Sequence, residues 1–194
     1  MRLDLKTLKI YSILTIVLFS VFAVGCKKDD DTPEPIDATT PPDHEEELIT
    51  SVILTFVDTA GVEPTVEYAY RDIDGVGGNA PIQQDVITLA ANTYYTATVQ
   101  LLNEAESPAE DITLEVQQED DEHIFCYAPL NTNVAITRTD SDGTYEVGIN
   151  TFWSTGAAAS GNTTVTLKHQ PGVKDGTCAP GDTDVEVTFA TVIQ

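Results

Sequence analysis

The stretch NTYYTATVQLL, residues 92–102, gives the clearest secondary-structure signal in the chain. Tyr95, Ala97, Val99 and Leu101 recur at every second position, and the positions between them are mostly polar. Since the side chains of a β-strand point alternately to the two faces of a sheet, this spacing places an apolar row on one face. The stretch therefore predicts a strand with one buried face.

Other segments share this pattern of β-branched and aromatic residues, and Gly, Asp, Asn or Pro residues separate them. They are LITSVILTFVD (48–58), TVEYAY (65–70), DVITL (85–89), HIFCYAP (123–129), NVAITRT (133–139), TYEVGINTFW (144–153), NTTVTLKHQ (162–170) and DVEVTFATVI (184–193). Seven to nine short strands joined by turns predict an all-β fold, a single antiparallel β-sandwich of immunoglobulin-like type.

The segment ESPAEDITLEVQQEDDEH interrupts this pattern. Ser107, Pro108 and Glu110 suit a helix N-cap, the first helical position and a capping-box partner. The apolar residues at every second position of 112–116 favour a strand instead. Because the acidic first turn suits the helix dipole, we expect one short helix near residues 108–118.

The N-terminus has the layout of an export signal. Arg2, Lys6 and Lys9 precede an apolar run over residues 10–23, which is shorter than the roughly 20 residues that span a bilayer. Small or modest residues then lead to Cys26. We therefore expect residues 1–25 to be a signal peptide, the alternative being an uncleaved anchor with a chance cysteine.

The motif AVGC, which ends at Cys26, resembles the lipobox of bacterial lipoproteins, although Ala23 stands where Leu is commoner. The resemblance implies lipidation of Cys26 by acyl chains such as palmitate, which would hold the protein to a membrane. The following KKDDD resembles the export signal that Bacteroidota place after this cysteine, and it implies the outer face of the outer membrane. A solvated charged tether is the alternative interpretation of this run.

Charge sets limits on function. The chain has 32 acidic and 9 basic residues, a formal net charge of −23, and loss of residues 1–25 would leave a charge near −25. Such a charge opposes binding to nucleic acid and favours accumulation of cations. Residues 26–46 are rich in Pro, Asp, Glu and Thr, which predicts a disordered acidic stalk. Residues 47–194 are then the β-sandwich domain.

Cys126 and Cys178 are the two cysteines that remain in that domain. An even pair in an exported protein is a candidate disulfide, and two buried free thiols are the alternative.

Three blocks, LLNEAESPAEDITLEVQQEDDEHIFCY, DSDGTYEVGINTFWSTG and VTLKHQP with GDTDVEVTF, resemble a group of uncharacterised surface lipoproteins of Bacteroidota, of flavobacterial type. The resemblance covers most of residues 47–194. It implies a loose association with outer-membrane nutrient uptake, and it supplies no activity.

Two Asp-x-Asp-Gly motifs are candidate cation sites. Asp72 and Asp74 open DIDGVGG, and Asp140 and Asp142 open DSDGTY. Clustered carboxylates suit calcium, but neither motif follows the EF-hand spacing. Asp-Gly is also a strong hairpin-turn signal, which accounts for both motifs without a cation.

The histidines are the other candidate metal ligands. His123 follows the acidic run QEDDE, and His169 ends a predicted strand. Imidazole and carboxylate groups together could bind zinc or copper, although no HxH or HExxH spacing places the two histidines together. A surface or core-edge histidine without metal is the alternative. The cofactor we expect, if any, is a divalent cation: Ca, Zn or Cu.

Catalytic motifs are absent from the sequence. It has no GxSxG elbow, no zincin helix and no phosphate-binding glycine loop. We therefore expect a binding module rather than an enzyme, working in nutrient uptake beside a TonB-dependent outer-membrane receptor. A structural or adhesive surface module is the alternative.

Overall fold

Two β-sheets contain about half of the residues that the computed structural model describes, which are 48–75 and 77–194. Among these residues, the elements in chain order are β1 (Ser51–Asp58), β2 (Val66–Arg71), β3 (Gln83–Gln84), β4 (Ile87–Leu89), β5 (Tyr94–Asn103), β6 (Glu110–Asp111), α1 (Thr113–Gln118), β7 (His123–Leu130), β8 (Val134–Arg138), β9 (Asn150–Thr155), β10 (Ala159–His169) and β11 (Asp182–Ile193).

The larger sheet has the strand order β3-β2-β1-β5-β9-β8, and β6 also pairs with β5. The smaller sheet has the order β4-β11-β10-β7. All of these pairings are antiparallel except that of β4 with β11, which is parallel. The stretch 92–102 contains most of β5, whose residues alternate between exposed and buried as predicted.

The apolar faces of both sheets form one hydrophobic core. Trp153 and Phe56 of the larger sheet are fully buried with ring centroids 4.8 Å apart, and Leu167 and Phe189 of the smaller sheet belong to the same cluster. Two packed layers of this kind are a β-sandwich. The all-β sandwich prediction is confirmed, whereas the immunoglobulin-like type stays a prediction.

The predicted short helix exists, but it begins later than its expected cap. Helix α1 starts at Thr113, and Ser107 and Pro108 lie before β6 rather than at a helix N-terminus. The N-cap prediction for Ser107 was therefore wrong. Asp111 instead accepts a hydrogen bond from the Thr113 N–H at 3.1 Å. Burial of Val116 anchors the helix on the core.

Several predictions fall on residues outside the described ranges. They are the signal peptide over residues 1–25, lipidation at Cys26, the stalk over 26–46 and the start of the domain at Glu47. Among the described residues, none of the helices has the length and apolar character needed to cross a membrane.

Candidate metal centre

Strand register brings the two histidines of the domain together. His123 is the first residue of β7, His169 is the last of β10, and the two are directly opposite in the antiparallel pairing. The core residues Phe125 and Leu167 form the next pair on the same face. The imidazole rings are stacked with centroids 4.6 Å apart and planes 5° from parallel. The histidine pair therefore closes one end of the core.

The His123 ring is fixed by a backbone contact. Its side chain is 6% exposed, and its Nδ1 lies 3.0 Å from the carbonyl oxygen of Glu119. Because a carbonyl only accepts, Nδ1 is the donor, and in the neutral ring the lone pair is then on Nε2. Metal-binding histidines commonly donate their second N–H to such a carbonyl. His123 Nε2 is thus oriented as a ligand would be.

Carboxylates surround the two rings. Asp184 Oδ2 lies 3.8 Å from His123 Nε2, and Glu122 Oε2 lies 3.6 Å from His169 Nε2. Glu119 offers a carboxylate oxygen that lies, together with one nitrogen of each histidine, in a group within 4.8 Å of one another. We call these five residues, Glu119, Glu122, His123, His169 and Asp184, the histidine end.

The carboxylates at the histidine end are partly removed from water. The side chains of Asp184 and Glu122 are 22% and 29% exposed. Burial raises the pKa of Asp184, while His123 and His169 oppose that shift. Glu122 Oε2 is buried, and among the described residues it has no hydrogen-bond partner. A cation between these groups would compensate for their desolvation.

The loop between β10 and β11 holds this acidic segment in place. The backbone N–H of Gln170 donates to the Glu122 carbonyl at 2.6 Å. The buried Gln170 side chain donates to the carbonyls of Thr177 and Pro180 at 2.9 and 3.0 Å, which closes the loop on itself. The position of Glu122 therefore depends on the loop that follows His169.

The predicted disulfide is confirmed, and it links the loop between β10 and β11 to β7. Cys126 of β7 bonds to Cys178 across a sequence separation of 52 residues. Closing a loop of this length reduces the entropy of the unfolded chain, which stabilises the fold by about 4 kcal/mol in the loop-entropy estimate. The bond keeps the loop against the strand that begins with His123.

The turn at Asp140 and Asp142 has no carboxylate oxygen facing an imidazole. Asp140 accepts the N–H groups of Gly148 and Asn150 at 2.7 and 3.1 Å. Asp142 accepts two N–H groups of its own turn, and its Oδ2 lies 2.7 Å from Lys174 Nζ. Although burial acts to raise it, the Lys174 hydrogen bond and these N–H groups lower the pKa of Asp142 to about 2. Backbone N–H groups and Lys174 thus already contact the carboxylate oxygens of Asp140 and Asp142.

The turn at Asp72 and Asp74 is hydrogen-bonded in part, because among the described residues Asp72 Oδ1 is buried without a hydrogen-bond partner. Asp74 Oδ2 accepts two hydrogen bonds from Asn79, at 2.9 and 2.6 Å. Asp72 is buried and accepts the Tyr70 hydroxyl at 3.3 Å on one oxygen. We call residues 72–78 and 140–145 the Asp-Gly turns. Among the described residues, the possible ligand atoms of Glu119, His123 and His169 lie within 4.8 Å of one another. None of the four aspartates belongs to this group.

Sequence reasoning did not single out the three acidic members of the histidine end, Glu119, Glu122 and Asp184, as ligands. Glu119 was visible only as one of several acids before His123. Asp184 lies 15 positions beyond His169 in the printed sequence, so no short motif links the two. Only the strand pairing and the loop between β10 and β11 bring it near, and neither can be deduced from residue spacing.

Comparison with known proteins gives no further assignment. No family model matches the chain, and neither the curated proteins nor the solved structures compared with it include a match.

Proposed function

We propose that the chain is a lipid-anchored module of the outer cell surface that binds a divalent transition metal at the histidine end. The observation that supports this proposal is the grouping of ligand atoms from Glu119, His123 and His169 within 4.8 Å of one another. Two imidazole nitrogens favour zinc or copper, whereas calcium prefers sites made of oxygen ligands alone. The net charge of −23 would raise the local concentration of such cations.

An open cavity adjoins the histidine end at Glu122. It has a volume of about 390 Å³ and is lined in part by Asp121, Glu122 and Asp142. Glu122 lies both on this cavity and 3.6 Å from His169 Nε2. A hydrated cation could therefore meet acidic side chains before it reaches the imidazoles.

The proposed place of this module is nutrient uptake, beside a TonB-dependent outer-membrane receptor. The lipobox resemblance at Cys26 and the following KKDDD support the surface location. The lack of a catalytic motif supports a binding role rather than an enzymatic one. A structural or adhesive module is the second candidate, because the ion pairs of the histidines with Asp184 and Glu122 also account for the cluster without metal.

Calorimetric titration of the full chain, purified in detergent without a polyhistidine tag, tests metal binding. We expect one site for Zn²⁺ or Cu²⁺, no comparable heat with Ca²⁺, and stabilisation by about 3 kcal/mol at 100 times the dissociation constant. His123→Gln and His169→Gln should each weaken binding by about 100-fold or more, since loss of even an outer-shell partner costs 10- to 100-fold.

His44→Gln is the matched control, because it removes the third histidine of the chain and leaves the histidine end intact. It should bind metal like the parent chain. An equal loss of metal affinity in His44→Gln and in the two other histidine variants would exclude the proposed site. The absence of binding heat with both Zn²⁺ and Cu²⁺ would exclude it as well. Cells that lack the protein and lose attachment while growing normally under metal limitation would favour the structural candidate.

The anchor is tested separately by labelling cells with a palmitate analogue. The chain should take up label and partition with outer membranes, because several acyl chains bind a bilayer nearly irreversibly. Cys26→Ala should remove the label. Labelling that persists in Cys26→Ala would place the lipid elsewhere and contradict the lipobox interpretation.

A further inference from the structure

A β-bulge in β11 changes the direction of one acidic side chain. In the pairing of β10 with β11, Leu167 is opposite Val185 and Lys168 is opposite Thr183, so Asp184 has no partner across the ladder. Bulges of this kind redirect a side chain and are frequent beside functional sites. The Oδ2 of Asp184 accordingly lies 3.8 Å from His123 Nε2, and the side chain is 22% exposed although the residue as a whole is exposed.

One distance at the histidine end is close to the ligand separation of a tetrahedral metal site. Four ligands at 2.0–2.2 Å from zinc are separated from one another by about 3.4 Å. Asp184 Oδ2 and His123 Nε2 are 3.8 Å apart, which is longer than a charged hydrogen bond of about 2.8 Å. A movement of about 0.4 Å would bring this pair to the tetrahedral separation. Asp184 is outside the group of Glu119, His123 and His169 whose ligand atoms lie within 4.8 Å of one another, so the site closes only when the four side chains move together.

The ligands come from three separate parts of the fold. Glu119 and His123 flank the turn after α1, His169 ends β10, and Asp184 belongs to β11. Glu122 is the competing carboxylate, with a side chain 29% exposed against 22% for that of Asp184, but it lies in the same turn as Glu119. Asp184 belongs to a different strand, and its Oδ2 faces His123 Nε2 at 3.8 Å.

We propose that Asp184 is the fourth protein ligand of the site, together with Glu119, His123 and His169; this inference rests on the proposed metal-binding function. Two neutral imidazoles and two carboxylates balance the charge of one divalent ion. A site with four protein ligands has no open position for a substrate, which is typical of structural zinc rather than catalytic zinc. The set therefore describes a closed N₂O₂ site for a divalent transition metal.

Cobalt substitution of the full chain tests this ligand, because the visible spectrum of Co²⁺ reports its coordination number. The parent chain should show the intense absorption of four-coordinate Co²⁺. Asp184→Asn should weaken binding of Zn²⁺ by about 10- to 100-fold and reduce that absorption. Glu186→Gln is the matched control, because it removes the same charge from an exposed residue of the same strand that is opposite Thr166 rather than a histidine, and it should change neither quantity.

The outcomes separate the two proposals. A parent chain that binds neither Co²⁺ nor Zn²⁺ contradicts the metal-binding function itself. A parent chain that binds, with Asp184→Asn unchanged in affinity and spectrum, overturns only the assignment of Asp184. A loss of Zn²⁺ affinity and Co²⁺ absorption in Glu122→Gln rather than in Asp184→Asn would also overturn the assignment of Asp184. Asp184→Ser serves as a second variant, and only variants whose metal-free form melts like the parent are compared.

Discussion

The histidine end and the Asp-Gly turns are both rich in carboxylates, yet their carboxylates have different partners. At Asp140 and Asp142, backbone N–H groups and Lys174 occupy the carboxylate oxygens. At the histidine end, Asp184 and Glu122 instead face imidazole nitrogens at 3.8 and 3.6 Å, beyond hydrogen-bond length. The carboxylates of Asp140 and Asp142 therefore have partners without an ion. The carboxylates of Asp184 and Glu122 are far enough from the imidazole nitrogens for a cation to bind between them.

This difference shows why acidic clusters alone are poor evidence for a metal site. A carboxylate that already accepts several hydrogen bonds would have to exchange them for the cation, which offsets the gain from binding. A carboxylate that is removed from water and lacks strong hydrogen-bond donors has no such bonds to lose, so it keeps the whole free energy of its interaction with the cation. We therefore assign stability to the Asp-Gly turns and metal affinity to the histidine end.

The largest expected effect is on stability, in Lys174→Met. The Lys174 side chain is 3% exposed and contacts both Asp142 Oδ2 and the Asp120 carbonyl. Removing the cation leaves a buried carboxylate uncompensated, which costs about 3–5 kcal/mol. Urea unfolding should show this loss, while zinc affinity should fall by less than about tenfold.

Lys168→Met is the control for that variant. Lys168 Nζ bonds Gly181 and Thr183 at the surface, so its removal should cost less than about 1 kcal/mol. Equal losses in both lysine variants would show that the Asp142 pair contributes no more than a surface contact. A zinc affinity lost altogether in Lys174→Met would remove the distinction between the two regions.

A smaller effect should appear with acid. The pKa of Asp142 is about 2, below its usual value of 3.8, so its contribution to stability is present above about pH 4. It is lost as the pH falls toward 2, when the folded carboxylate takes up a proton. The stability difference between the parent chain and Asp142→Asn should therefore shrink by about 1–2 kcal/mol between pH 5 and pH 2.

Urea unfolding at a series of pH values measures that difference. A difference that stays constant over the same range would contradict the lowered pKa of Asp142, and with it the assignment of stability to this turn.

Sequence patterns predicted what depends on local periodicity. The alternation of Tyr95, Ala97, Val99 and Leu101 correctly gave the buried face of β5, because strand geometry has a period of two. The even cysteine count led to the disulfide between Cys126 and Cys178.

Features set by tertiary pairing were not predictable. Helix α1 begins at Thr113 rather than after Ser107, because Glu110 and Asp111 pair with β5 as strand β6. The segment 144–153 forms a strand only from Asn150. The meeting of His123 with His169 depends on register, and the approach of Asp184 depends on a bulge.

A crystal of the chain soaked in zinc, with anomalous scattering recorded at the zinc absorption edge, tests the central claim most directly. The account predicts that the strongest peak lies about 2.0–2.1 Å from the Nε2 atoms of both His123 and His169. The strongest peak at Asp72 and Asp74, or at Asp140 and Asp142, with none beside the histidines, would contradict it.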